Sequence, residues 1–211
     1  MPFNLPNLLT LSRIAAIPLV IAAFWLDKPW SQWLAMALFV AASITDWFDG
    51  YFARRYRMIS RFGRFLDPIA DKLLVAGALV MLVADGPILG VHVIAALVIL
   101  FREILVSGLR EFLAELRINM PVSSLAKWKT GIQMTAVGVL LVGDAASRWL
   151  PATDIGLVLL WVAALLTVIT GYDYLRAGLA HMDESAVVPP AREEPREPSL
   201  APGPAGARDA A

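Results

Sequence analysis

The stretch TDWFDGYFARRYRMISRFGRFLDPIADKLL, residues 45–74, places four aspartates between two strongly apolar segments of the chain. They are Asp46, Asp49, Asp67 and Asp71. A single aspartate at the centre of a membrane helix costs about 2.5–3.5 kcal/mol on insertion scales. Four aspartates near one another therefore require compensation from positive side chains, metal cations or water beside them.

The composition is typical of an integral membrane protein. The chain has 211 residues, is 58% hydrophobic and has a mean hydropathy of +0.66, which is too apolar for a soluble domain with a polar surface. Apolar runs of roughly 20 residues are long enough to cross a bilayer as helices. The sequence therefore predicts an all-α protein with six transmembrane helices. The predicted spans are residues 8–26, 33–54, 65–84, 91–113, 125–143 and 154–177.

The distribution of basic residues predicts how these spans are oriented. Lysine and arginine are enriched in cytoplasmic loops, and an inside amino terminus leaves only Lys28 and Arg148 on the outer side. No charged segment with a small-residue cleavage site precedes the first apolar run, so we expect no removable signal peptide. Both termini are therefore expected to be cytoplasmic.

The last part of the chain differs from the rest. Residues 183–211 are rich in proline and alanine and lack aromatic residues, so they cannot bury enough apolar area to offset the entropy of ordering. We expect a membrane domain over residues 1–182 followed by a disordered cytoplasmic tail. The chain has no cysteine, which excludes disulfides and thiolate metal sites.

Helical spacing predicts that the first two aspartates face the same way. In a helical second span, Asp46, Asp49, Gly50, Ala53 and Arg54 lie on one face, because they are separated by three or four residues and their multiples. Bulky aromatic residues occupy the positions between them. The small residues leave room beside the carboxylates for the atoms of a ligand.

The other two aspartates are one turn apart at the start of the third span. Pro68 permits two interpretations: Asp67 caps a helix that begins at Pro68, or the proline kinks a helix that has already begun. Residues 55–62 are interpreted as a short cytoplasmic connection. Either geometry directs Asp67 and Asp71 to one side and brings all four carboxylates together.

Four convergent carboxylates carry a formal charge of −4, which two divalent cations would neutralise. Carboxylate oxygens suit Mg²⁺ or Mn²⁺, and a pair of such ions commonly clamps the reacting groups in displacement at phosphorus. In the alternative interpretation, each aspartate pairs with a nearby arginine and no metal binds. The convergence of four carboxylates around small residues favours the metal site.

These residues carry a resemblance to a known family. The pattern D-x₂-D-G-x₂-A-R-x₈-G-x₃-D-x₃-D is filled at every specified position and spacing by residues 46–71, and it resembles the signature of the CDP-alcohol phosphotransferases. The resemblance implies a six-helix membrane fold, usually homodimeric, that transfers a substituted phosphate from a CDP-linked donor to an alcohol and releases CMP. The implied metal ligands are Asp46, Asp49, Asp67 and Asp71, with Asp71 also the general base. The implied nucleotide-site residues are Gly50, Ala53 and Arg54.

A wider part of the chain narrows the resemblance. The segments FNLPNLLTLSRI, FREILVSGLREFLAEL and AKWKT resemble bacterial members that join CDP-diacylglycerol to glycerol 3-phosphate. The implied partners are these two substrates and membrane phospholipids, without nucleic acid, at the bacterial inner membrane with the active site facing the cytoplasm. Relatives that use phosphatidylglycerol or an inositol phosphate as acceptor are the alternative. An ion-coupled transporter is a further alternative, since intramembrane carboxylates also mark ion paths.

Cations in the later spans are candidates for binding an acidic acceptor. Arg102 and Arg110, eight residues apart, share a helical face, and Lys127 begins the fifth span. Arginine forks and lysine point charges both suit a phosphate. Topology signals or anionic-lipid contacts are the alternative, which we favour for Lys129 and Arg117.

Five further polar residues have less distinctive patterns. Arg176 is equally suited to an acceptor phosphate and to a lipid headgroup. Glu103 and Glu111 each follow an arginine and are expected to orient or neutralise it. Asn7 and Thr10 are candidates for the nucleotide site, although a helix start explains their spacing equally well.

Overall fold

The structure is a computed structural model, and all the regular secondary structure of the residues it describes is helical. The backbone is described for residues 5–56, 61–116 and 124–185, and side chains are described for 10–45, 48, 63, 66–116 and 125–179. The helices are α1 Leu5–Ala23, α2 Trp30–Tyr56, α3 Arg61–Asp85, α4 His92–Glu115, α5 Ser124–Val142 and α6 Ala152–Ser185, with a 3₁₀ turn at Gly143–Ala146.

Each of the six predicted spans corresponds to one helix, so the predicted all-α architecture is confirmed. The connection predicted at residues 55–62 is wrong in extent, because α2 continues to Tyr56 and α3 begins at Arg61. The residues that extend the helices are Arg55 and Tyr56 at the end of α2 and Arg61 and Phe62 at the start of α3. All four are compatible with a helix, and none is glycine or proline. At the other end of the chain, α6 runs to Ser185, and residues 186–211 of the predicted tail lie outside the described residues.

Proline 68 lies inside α3, seven residues after its start. The interpretation of Asp67 as the cap of a helix that begins at Pro68 is therefore wrong, because the helix has already begun when it reaches the proline. Pro68 has no N–H to donate to the preceding turn. The carboxylates of Asp67 and Asp71 consequently lie on a continuous helix.

Contacts between connections show that consecutive helices run in opposite directions. Lys28, between α1 and α2, forms an ion pair with Asp85 at the end of α3, with Nζ and Oδ2 2.9 Å apart. The rings of Trp33, near the start of α2, and Trp149, after α5, have centroids 6.4 Å apart. Three connections therefore lie at one end of the bundle. The carboxyl ends of α2 and α4 and the start of α3 lie at the other end, and the basic residues of the sequence are concentrated in and around these segments.

The bundle has two halves that meet around α3 and α5. Helix α1 packs against α2 and α3, and α6 packs against α4 and α5, while α5 also contacts α2 and α3. The α5–α6 contact is the most extensive and depends on Gly156, where a Cβ would lie 2.6 Å from Leu140 Cγ. Small residues allow such close approach between membrane helices.

Two helices are long and apolar enough to cross a membrane, judged over the described part of the chain. They are His92–Glu115 and Ala152–Leu179, with shorter apolar helices at Thr10–Ala23 and Trp30–Thr45. Large apolar side chains on α4 face outward, among them Phe101 and Ile104, which are 66% and 67% exposed. Exposed apolar surface of this extent favours contact with lipid.

Gly156→Ala is expected to lower the free energy of unfolding by about 1–3 kcal/mol, because the added Cβ overpacks the α5–α6 contact. The matched control is Gly108→Ala on α4, where an added Cβ meets no atom within 4 Å. The control should be neutral or slightly stabilising, because alanine favours helix over glycine. Thermal unfolding of the detergent-purified variants measures the difference, and equal melting temperatures would contradict the close packing.

Candidate active site

Helix α3 and helix α1 together fix one of the predicted metal ligands. Thr10 Oγ1 donates a hydrogen bond of 2.6 Å to Asp67 Oδ1, and Thr10 is 2% exposed. A carboxylate held by a buried hydroxyl has a defined orientation. Thr10, a candidate for the nucleotide site, therefore contacts the motif aspartate Asp67 and orients it.

The first two aspartates are placed only by their backbone. Residues 46–54 belong to α2, so the expected helical register of Asp46, Asp49, Gly50, Ala53 and Arg54 is confirmed. Their side chains lie outside the described ones, as does that of Asn7. Among the described residues no group of three or more acidic or histidine side chains could hold a metal ion. The four-carboxylate site consequently stays a prediction.

A polar cavity of about 640 Å³ opens beside Asp71 at the basic end of the bundle. Helices α3, α4, α5 and α6 all contribute to its walls. Its charged and aromatic lining residues are Asp71, Lys72, Arg102, Glu103, Arg110, Glu111, Lys127, Lys129 and Tyr174. Three of the four predicted acceptor-binding cations are therefore brought together with Asp71 around one space.

Tyrosine 174 aligns two arginines on one wall of this cavity. The guanidinium carbons of Arg102 and Arg110 lie 5.8 Å and 5.9 Å from the centroid of its ring, within the range of cation–π attraction. Arg102 Nη2 also donates a hydrogen bond of 2.9 Å to Thr170 Oγ1. Helix α6 thus orients cations that belong to α4.

A partly buried ion pair joins α4 to α5 next to Arg102. The Lys129 ammonium contacts the Glu103 carboxylate, and Arg102 Nη1 lies 3.5 Å from the same carboxylate. Lys129 is 3% exposed, so its interpretation as a lipid contact needs correcting. The expectation that Glu103 orients a neighbouring arginine is supported by this geometry.

Arg176, the fourth residue predicted to bind the acceptor's phosphate, lies outside the cavity. It is exposed and does not line the cavity, whereas Tyr174, two residues earlier, does. Positions two apart on a helix point in different directions. Arg117 lies outside the described residues.

Tyr174, Thr170 and Gln133 are site residues that the sequence analysis missed. Thr170 and Tyr174 are separated by four residues, so their shared face was readable from spacing, but their partners on α4 were not. Gln133 is 3% exposed and lines a space of about 20 Å³ with Asp71 and Glu103. A space of this size can hold one water molecule.

A second cavity, of about 740 Å³, leads away from Asp71 between α2 and α5. Apart from Asp71, Ser43, Thr130 and Thr135, its lining side chains are apolar, and it extends to Trp33 and Leu150 at the opposite end of the bundle. We name it the apolar groove. Asp71 and Thr130 line both spaces, so a polar and an apolar compartment meet at this carboxylate.

A helical bundle in which a cationic cavity and an apolar groove meet at a motif aspartate suits an enzyme that joins a polar to a lipidic substrate. The sequence model of the CDP-alcohol phosphatidyltransferase family matches residues 3–169. The chain belongs to this family.

Relatives of the chain carry a common name, CDP-diacylglycerol–glycerol-3-phosphate 3-phosphatidyltransferase. One from Rickettsia bellii is 51% identical over 82% of this chain and 94% of its own length. One from Cereibacter sphaeroides is 37% identical over 87% of this chain and 99% of its own. A third, from Pectobacterium atrosepticum, is 44% identical over 84% and 96%. The similarity thus covers nearly the whole of each relative.

Glu103→Gln is expected to destabilise the protein by about 3–5 kcal/mol, because it leaves the Lys129 ammonium buried without its carboxylate. The double variant Glu103→Gln/Lys129→Met should recover much of this loss, since the buried ammonium is then absent and Arg102 keeps its hydrogen bond to Thr170 Oγ1. Glu115→Gln, at an exposed position of the same helix, is the control and should change little. Thermal unfolding in detergent provides the comparison, and additive losses in the double variant would contradict a coupled pair.

Proposed function

We propose that this protein transfers a phosphatidyl group from CDP-diacylglycerol to glycerol 3-phosphate, producing phosphatidylglycerophosphate and CMP. Family membership and the names of the relatives support this reaction. The structural observation that carries the proposal is the cavity that Asp71 lines together with the two arginines beside Tyr174. An anionic, water-soluble acceptor fits such a lining.

The chemistry of the donor set fits two divalent cations. Asp67 and Asp71 follow each other by one turn on α3, and the motif adds Asp46 and Asp49 from α2, so the ligands would be hard carboxylate oxygens suited to Mg²⁺ or Mn²⁺. Bound ions would polarise the diphosphate of the donor and stabilise the charge of departing CMP. Thr10 would keep Asp67 in its ligating orientation.

The cations that line the polar cavity would position the acceptor. Arg102, Arg110 and Lys127 would bind the phosphate of glycerol 3-phosphate, with the guanidinium forks setting its orientation. Asp71 would take the proton of the attacking hydroxyl. That oxygen forms a bond to the phosphatidyl phosphorus as the bond from phosphorus to CMP breaks. Gly50, Ala53 and Arg54 would lie along the nucleotide, with Asn7 as a further candidate.

We further propose that all six helices span the inner membrane of a bacterium and that the site faces the cytoplasm with both termini. The concentration of basic residues at the end of the bundle that holds the cavity supports this orientation. Exposed tryptophans support an interfacial position for both ends, since Trp25, Trp30 and Trp149 lie at one end and Trp128 at the other. A homodimer is the proposed assembly.

An acceptor-substitution assay tests the proposed reaction. Purified protein, CDP-diacylglycerol and Mg²⁺ or Mn²⁺ are incubated separately with glycerol 3-phosphate, phosphatidylglycerol and an inositol phosphate, and CMP and lipid products are measured. We expect metal-dependent product with glycerol 3-phosphate. Preference for another acceptor would reassign the substrate, and full activity in excess chelator would exclude the metal site.

Asp71→Asn is expected to lower turnover by about 10²–10⁴-fold, the usual contribution of general base catalysis, while donor binding is retained. Asp85→Asn is the matched control: it lies on the same helix at the opposite end, paired with Lys28, and should turn over nearly normally. Donor affinity with metal present and turnover with glycerol 3-phosphate are measured in parallel. If Asp71→Asn loses donor binding as fully as Asp67→Asn, the residue is a ligand and not the base.

Arg110→Ala is expected to raise the KM for glycerol 3-phosphate by about 10–100-fold, corresponding to the loss of a hydrogen bond to a charged group. The KM for CDP-diacylglycerol should change much less. Arg176→Ala removes an exposed arginine outside the cavity and serves as the control. Steady-state kinetics with each substrate varied in turn separate the two effects, and equal losses toward both substrates would place Arg110 at the donor.

A further inference from the structure

The apolar groove follows one face of α5 and one face of α2 along most of the bundle. On α5 its lining includes Thr130, Met134, Gly138 and Val142, which are four residues apart and therefore lie in line along the helix. From Thr130 to Val142 this line is about 18 Å long, at 1.5 Å per residue. The apolar groove is thus elongated, and it begins at Asp71.

We propose that the apolar groove holds one acyl chain of the lipid donor, and that Gly138 determines how long a chain can enter. This inference rests on the proposed function, because it requires a donor with fatty acyl chains. The groove and the polar cavity share Asp71 and Thr130. A lipid whose phosphorus lies at Asp71 can therefore extend a chain into the groove without leaving the site.

Gly138 differs from the glycines that allow helices to pack. A Cβ on Gly156 would lie 2.6 Å from Leu140, and one on Gly171 would lie 3.0 Å from Arg102. A Cβ on Gly138 would meet no atom within 4 Å. Gly108 and Gly131 share this property, but of these three helical glycines only Gly138 lines the apolar groove. The open space beside Gly138 is the groove.

The position of Gly138 along the groove gives it a selective effect. It lies eight residues beyond Thr130 on α5, about 12 Å from the polar end, and the groove continues past it to Trp33 and Leu150. A short acyl chain ends before this level, whereas a long chain must pass it. A larger side chain at residue 138 would therefore obstruct long chains selectively.

The expected selectivity is steric. A bilayer solvates an acyl chain about as well as an apolar protein surface does, so burial in the groove adds little hydrophobic driving force. A side chain projecting into the groove, in contrast, competes directly for the volume that the acyl chain occupies. Obstruction should therefore have a larger effect than the loss of any single apolar contact.

The test compares Gly138→Ala and Gly138→Leu with Gly108→Leu. Gly108 is also a helical glycine whose Cβ would meet nothing within 4 Å, but it does not line the groove. Each purified full-length variant is assayed in mixed micelles with dioctanoyl and with dipalmitoyl CDP-diacylglycerol, at saturating glycerol 3-phosphate. The measured quantity is the ratio of kcat/KM for the long donor to kcat/KM for the short donor.

We expect Gly138→Leu to lower this ratio at least about tenfold relative to wild type, a difference of 1.4 kcal/mol in transition-state binding. Gly138→Ala should lower it less, and Gly108→Leu should leave it at the wild-type value. A ratio unchanged in Gly138→Leu, with wild type active on both donors, would overturn the inference and leave the proposed reaction intact. Inactive wild type would instead contradict the proposed reaction.

A donor with a diazirine at the end of one acyl chain gives an independent readout. Crosslinking in the wild-type protein should label α2 and α5 peptides around Met36, Met134 and Val139, and excess unlabelled donor should prevent it. Labelling confined to other helices would overturn the inference. If a second copy of the chain covers the groove instead, Gly138→Leu will change the oligomeric state and not the chain-length ratio.

Discussion

Charge buried in an apolar bundle is the constraint on which the rest of this structure depends. The Glu103 carboxylate contacts Lys129 from α5 and lies 3.5 Å from Arg102 of its own helix. Breaking such a pair costs far more than its net contribution to stability, because the remaining charge is left without a partner. The pair therefore couples α4 to α5 at the level of the cavity. The positions of Arg102 and Arg110 beside the Tyr174 ring depend on this coupling.

The two compartments that meet at Asp71 match the two kinds of substrate that the proposed reaction joins. The cavity among α3, α4, α5 and α6 is lined by cations and open to an anionic acceptor, while the groove between α2 and α5 is apolar. A reaction between a lipid and a water-soluble phosphate requires its reacting atoms at the boundary of such spaces. Asp71 occupies that boundary because α3 lies between the two halves of the bundle.

The helical architecture and the motif were predictable because each depends on local pattern. Apolar runs predicted six helices, and the spacing of Asp46, Asp49, Gly50, Ala53 and Arg54 gave their common register on α2, which the backbone confirms. Prediction and structure differ at two places. The helices extend further into the α2–α3 connection than expected because the residues there favour helix. Lys129, interpreted as a topology signal or a lipid contact, is buried because it pairs with Glu103 of another helix. The convergence of all four carboxylates stays a prediction.

The sequence by itself determined the class of fold, the family and the positions of the motif aspartates, since helix periodicity and motif spacing are properties of neighbouring residues. Only the tertiary structure decided which cations share a space with Asp71. It placed Lys129 against Glu103 and set Tyr174 beside Arg102 and Arg110, while Arg176 lies outside the cavity. These partners belong to different helices. Their meeting depends on the packing and rotation of whole helices, which no local pattern encodes.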